Sequence, residues 1–378
     1  MKFPYLQEEH IDAMEEELLS LLERLAVIHA PTGKEEARAS FCKAFLEDAG
    51  AKGVYIDEAQ NVLYPVGLQE GRPIALFMAH SDLVFPDNDP LPLQRKDGRI
   101  FCPGIGDNSA NVAALLTVAG YIAKNGLVPR DHGILFVINS GEEGLGNLKG
   151  CRAVMERFGG RITEFVSFDS MDRRFAVNHA VGSLRYRVTI DTEGGHSFNA
   201  FGKKNAIVCL SRLICALDSV VLPTGGKTTY NVGLVSGGTS VNTIAPHAEM
   251  LYEVRSDNRE DLSFMKDFFE RTVAEHQQSD APITVTQMGA RPCGIKVDER
   301  AQRALEERAR EGYLAFYGEE VSFVPGSTDC NIPLSLGIPA VCVGCCHGKG
   351  AHTREEYIEA DSLIKGLKLC FHMVLAHF

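Results

Sequence analysis

The chain lacks an apolar run long enough to cross a membrane. Its longest, about Val112 to Ala123, falls short of the roughly 20 residues a spanning helix needs. It is poor in positive charge, with 38 Lys and Arg against 50 Asp and Glu and a formal net charge of −12. Such a chain has no electrostatic basis for general nucleic-acid binding. It lacks a disulfide framework: its 11 cysteines are odd in number and scattered, which suits a reducing cytosol. Met1 to Leu6 carry no basic segment leading into an apolar core, so no secretory leader is expected and the location is read as cytoplasmic. G-x-S-x-G and H-E-x-x-H are both missing, which leaves a serine hydrolase and a single-zinc protease of that kind unsupported.

What is present is globular. Of the 378 residues, 45% are hydrophobic and 23% charged, and the length corresponds to about 2.5 ordinary domains. Apolar residues recur at helical spacing from Glu8 to Ile28. Thr32 and Glu35, three apart, form the pattern of a capping box for a helix running to about Ala49. Short apolar runs at Pro73–Ala79, His132–Asn139 and Glu164–Phe168 read as buried strands, with a helix over Asp107–Lys124 between them. This is an α/β order, a mostly parallel sheet between helices. From about Val181 the pattern becomes β-α-β-β-α-β, a ferredoxin-like α+β layer pair. The predicted organisation is one discontinuous domain, 1–180 and 291–378, interrupted by an inserted domain at 181–290.

Ligands in open α/β sheets bind at the C-terminal ends of the strands. There the sequence places His80 and Asp82, Asp107, Glu142 and Glu143, Asp169, and, after the last buried strand, His352. Any one of these has a plain alternative as a turn former, a cap or a satisfied polar group. Together, imidazoles and carboxylates on one edge suit zinc or a similar divalent ion. Asp107, alone before a helix, is placed to bridge two ions, and Asp82 to hold the other ring nitrogen of His80. Glu142 and Glu143 diverge as neighbours, so one would bind metal and the other serve as general base.

Two other patterns carry less. Gly144, Gly146 and Gly150 give G-x-G-x-x-x-G, one residue off the dinucleotide fingerprint, behind two glutamates that would repel a pyrophosphate. Cys342, Cys345 and Cys346 read as small residues of a buried strand, with no second C-x-x-C to complete a zinc ribbon.

The ordered segments H-S-D-L-V, G-I-G-D-N-S-A-N, S-G-E-E-G, S-F-D-S and A-H-T-R-E-E-Y resemble the co-catalytic zinc peptidases of metallopeptidase family 20. That family includes peptidase T, dipeptidases, acetylornithine deacetylase and succinyl-diaminopimelate desuccinylase. The resemblance spans nearly the whole chain and implies a zinc-exopeptidase-like catalytic domain with a lid that also dimerises. It implies two zinc ions, with cobalt or manganese as substitutes: His80 and Asp169 on one, Glu143 and His352 on the other, and Asp107 between them before a cis peptide to Asn108. It implies Glu142 as the base, Asp82 as the residue orienting His80, and His196, in G-G-H-S, as the group reaching the scissile carbonyl. Asn242, Arg255 and Asp329 would bind substrate. Asp at position 169, where deacylases of the family tend to carry Glu, leans toward an aminopeptidase or a di- or tripeptidase acting on small peptides. An N-acyl amino acid deacylase is the alternative. A non-catalytic metal- or substrate-binding homologue is the rival of another class, although metal binding alone would not need Glu142.

Overall fold

The computed structural model describes residues 8–279 and 281–378. The reading of Met1 to Leu6 therefore lies outside the described residues. The chain divides into two compact units, one of residues up to Ala180 with Ile295–Phe378, the other Val181–Gly294.

The first unit is built on an eight-stranded sheet. Its central strands, in spatial order, are Gly133–Asn139, Ile74–His80, Ile162–Phe168 and Ala340–Val343, all mutually parallel. Their apolar runs follow from burial on both faces. Ala75, Phe77 and Ala79 join one core, and Ile74, Leu76 and Met78 the other. The first core packs beneath helices Ala110–Lys124 and Ala360–Leu375, the second beneath Lys149–Phe158. Strands Tyr55–Ile56 and Val62–Val66 extend one side antiparallel, and Phe175–Ala180 with Ser322–Gly326 extend the other. A separate four-stranded sheet of short segments joins Gln94–Lys96 and Arg99–Phe101 to Gly348–Lys349 and Tyr357–Glu359.

Two local expectations are corrected. The first helix is not continuous: Glu8–Asp12 is followed by a break and then Glu15–Ala26. The run Glu15, Glu16, Glu17 is most favourable in the first turn of a helix, beside unpaired N–H groups. The Thr32–Glu35 capping box does not form either. The next helix is Glu36–Asp48, and Glu35 caps it with no side-chain bond. Both side chains are engaged by distant partners instead, Thr32 by Asp82 and Glu35 by Gly141.

The second unit is an antiparallel sheet in the spatial order Thr228–Gly237, His247–Ser256, Gly182–Asp191, Ile283–Arg291. Helices Ala206–Asp218 and Arg259–Ser279 cover one face. Asn205 caps the first of them by accepting from the N–H groups of Ile207 and Val208. Strand order and connection are those of a ferredoxin-like α+β unit.

Candidate active site

The parallel strands deliver the charged residues to one edge. His80 ends its strand and pairs in register with Asn139, after which the chain turns through Ser140 and Gly141 to Glu142 and Glu143. Met78 lies opposite Ser167, so two residues on, His80 and Asp169 leave adjacent strands at one level. His352 arrives from a loop with its own backbone in the left-handed region, φ 65°, a conformation uncommon outside glycine.

The side chains converge. His80 Nε2 lies 3.1 Å from Asp107 Oδ1 and 3.2 Å from Asp169 Oδ1. His352 Nε2 lies 3.1 Å from Asp107 Oδ2 and 3.2 Å from Glu143 Oε1. Asp107 thus turns one oxygen to each histidine. Glu142 brings a carboxylate oxygen within 4.8 Å of the ligand atoms of His80 and Asp169. The Asp107–Asn108 peptide is cis, and Asn108 donates its side-chain amide to Phe168 O at 2.9 Å.

Asp82 lies wholly buried beneath this cluster. Its Oδ1 is 3.4 Å from His80 Nδ1 and accepts from the N–H of Glu142 at 3.0 Å. Its Oδ2 accepts from the N–H of Glu143 at 2.9 Å and from the Thr32 hydroxyl at 2.8 Å. Burial pushes the Asp82 carboxyl up, but His80 and the two backbone donors outweigh it and hold it below the usual range.

Two buried carboxylates escaped sequence reasoning. Glu35 accepts from the N–H of Gly33 at 2.7 Å and of Gly141 at 3.1 Å, pinning the turn ahead of Glu142. Glu356 accepts from the N–H groups of Gly104, Gly106 and Asp107 at 3.1, 2.7 and 2.8 Å, fixing the loop that presents Asp107. Burial and the charge of Asp107 push Glu356 up to about 7. The one signal was its place four residues after His352.

In the first unit the structure brings His80, Asp82, Asp107, Glu142, Glu143, Asp169 and His352 together, and Asp329 stands apart from them. Asp329, expected to bind substrate, is fully buried and accepts the Asn139 side-chain amide at 2.7 Å. It sits behind the strand end, where it supports Asn139. In the second unit, His196 pairs with Thr243 across a two-stranded ribbon, and Ser197 N–H donates to Asn242 O at 2.9 Å. These two residues are neighbours. Arg255 is spent on Glu253, its Nε at 2.7 Å and Nη2 at 3.1 Å from the two carboxylate oxygens. Among the described residues it has no hydrogen bond or ion pair to His196 or Asn242. Cys342, Cys345 and Cys346 are buried free thiols, pushed well up by burial.

The donor set fits divalent cations. An imidazole nitrogen carries at most one hydrogen, yet each Nε2 faces two carboxylate oxygens at similar distance; a cation between them satisfies both. Glu143 Oε1 is buried with no donor beside the His352 ring. So many carboxylates withdrawn from water are costly unless cations sit among them.

The chain is similar to known proteins over most of its length. Residues 76–376 match the family described as Peptidase family M20/M25/M40. An acetylornithine deacetylase of Myxococcus xanthus is 25% identical over 351 residues, 88% of this chain and 86% of that protein. The crystal structure of a tripeptidase from Staphylococcus aureus superposes with a TM-score of 0.75 at 24% identity, covering 96% of this chain and 98% of that one. That of an M20 family metallo-carboxypeptidase from Sulfolobus solfataricus gives 0.76 at 16% identity, covering 96% and 99%. No helix among the described residues is long and apolar enough to cross a membrane.

Proposed function

The chain belongs to peptidase family M20/M25/M40, a family of metal-dependent hydrolases, and on that premise we propose that it is a two-zinc enzyme cleaving the amide bond of small peptides, an aminopeptidase or a di- or tripeptidase. The observation that carries the reading is Asp107, with one oxygen 3.1 Å from His80 Nε2 and the other 3.1 Å from His352 Nε2. His80 and Asp169 would hold one ion, Glu143 and His352 the other, and Asp107 would join them; cobalt or manganese would serve in place of zinc. Such ions would supply Lewis acidity, making water more acidic and polarising the scissile carbonyl.

The chain's own residues do the rest. Glu142 takes the proton of the attacking water and returns it to the leaving amine nitrogen as the C–N bond breaks. Asp82 accepts the Nδ1 hydrogen of His80, so that Nε2 is the free ligand atom. His196 donates to the oxygen on which negative charge develops. Asn242 and Arg255 bind the substrate carboxylate, Arg255 leaving Glu253 to do so. Two copies would pair through the second unit, whose edge strand Thr228–Gly237 is mostly exposed. The free cysteines suit a reducing, cytoplasmic setting.

The relation to the Myxococcus xanthus acetylornithine deacetylase favours a second reading, hydrolysis of an N-acyl amino acid. The test is a panel of free and N-acylated di- and tripeptides with zinc-, cobalt- or manganese-loaded enzyme, wild type and Glu142→Ala. Cleavage of free peptides, lost in the variant, is expected. Cleavage of N-acylated substrates alone would move the reading to a deacylase. A fully active variant would remove Glu142 as base.

A further inference from the structure

Beside the metal-ligand candidates, and within the same unit, lies a cavity of about 560 Å³. Glu143 forms part of its wall, so it opens directly beside the reacting centre. Val84, Pro86 and Leu145 give it apolar sides, and Lys149 stands at it as its one cation. Leu145 is 62% exposed, on a short turn between two glycines. Every carboxylate around it is already engaged, with Asp82 under His80, Glu35 on its backbone donors and Glu143 facing His352. The Lys149 side chain is not. Among the described residues its ammonium has no ion pair or hydrogen bond, although the protein carries twelve more acids than bases.

The Lys149 ammonium, exposed and unpaired in so acidic a neighbourhood, is available to an incoming anion, and a substrate side chain lying over the exposed Pro86 and Leu145 would displace water from beside that contact. A side chain of a few methylenes ending in a carboxylate matches both features: carbons against Val84, Pro86 and Leu145, charge on Lys149. Building on the proposed peptidase reading, we propose that this cavity is a substrate side-chain subsite and that Lys149 makes it selective for an acidic residue, aspartyl or glutamyl, flanking the scissile bond.

The uncharged isostere isolates the charge contact. Metal-loaded enzyme is assayed on Glu-Ala against Gln-Ala and on Ala-Glu against Ala-Gln, in wild type and Lys149→Met. A preference in kcat/KM of up to about fivefold for glutamate over glutamine is expected at one of the two positions, the range of an exposed ion pair, falling to near unity in Lys149→Met. Lys149→Glu would reverse it in favour of Lys-Ala or Ala-Lys. Calorimetric binding of the same dipeptides to Glu142→Ala, which does not depend on turnover, should show the same ratio and the same loss when Lys149→Met is added. Equal treatment of glutamate and glutamine at both positions, or a preference that survives Lys149→Met, overturns the subsite. Absence of hydrolysis with the binding ratio intact would instead count against the peptidase reading and leave the subsite standing.

Discussion

Thr32 donates its hydroxyl to Asp82 Oδ2 across 2.8 Å, tying a loop fifty residues upstream to the carboxylate that sits beneath His80. Sequence alone reads this threonine as a helix cap, a local role. Its actual partner belongs to the site. Thr32→Val keeps the shape and removes one of Asp82's donors, leaving the N–H groups of Glu142 and Glu143 and the His80 ring. Loss of a hydrogen bond to a charged, buried acceptor costs about 1.5–3 kcal/mol. Zinc affinity, measured by chelator competition, should therefore fall by about tenfold or more while the circular dichroism spectrum is retained.

Glu356 holds three backbone N–H groups of the loop that presents Asp107. Glu356→Gln leaves a single side-chain oxygen to accept and brings an unwanted donor among donors. Groups behind the ligands typically alter metal affinity by about 10–100-fold. We expect a loss in that range by zinc titration, with a smaller loss in Glu356→Asp, which keeps the charge on a shorter arm.

The ion-free protein should respond to pH through His352, whose ring is pushed up to about 10 by Asp107 and Glu143. A histidine raised above its ordinary value near 6.5 stabilises the fold in its charged form. That contribution is complete below about pH 6.5 and is lost as pH rises through 10. In chelator, the melting temperature should thus decline between those limits. Zinc reverses the trend, because binding requires the neutral ring and displaces its proton. Melting curves with and without chelator from pH 6 to 10 check both signs.

Away from the site, Glu164 is held at about 2. Burial pushes it up, but its bond to His377 and the charge of Arg308 more than compensate. A depressed carboxyl stabilises above its unfolded value, near 4.3, and the effect vanishes as pH falls through 2. Glu164→Gln should cost roughly 3 kcal/mol in urea unfolding at pH 7, and the difference from wild type should shrink steadily below pH 4.

Much of the fold is legible in the sequence because the central strands are buried on both faces, so that apolar runs mark them and charged residues mark their ends. His80, Glu142, Glu143 and Asp169 follow from that rule. Glu35, Thr32 and Glu356 do not, since the bonds that tie them to the site reach partners 50 to 250 residues away and a buried carboxylate on backbone N–H groups leaves no periodic trace. The short strands Gln94–Lys96 and Gly348–Lys349 carry too few residues for any alternation to register. Asp329 is placed by motif, and only packing reveals that it faces Asn139 from behind the sheet edge.

The proposed chemistry depends on Asp107 joining two ions. The decisive measurement is elemental analysis of zinc per chain, after loading and exhaustive dialysis, in wild type and Asp107→Ala. Two zinc ions per wild-type chain and fewer than one in the variant are predicted. One ion or none in wild type, or two retained without Asp107, would contradict it.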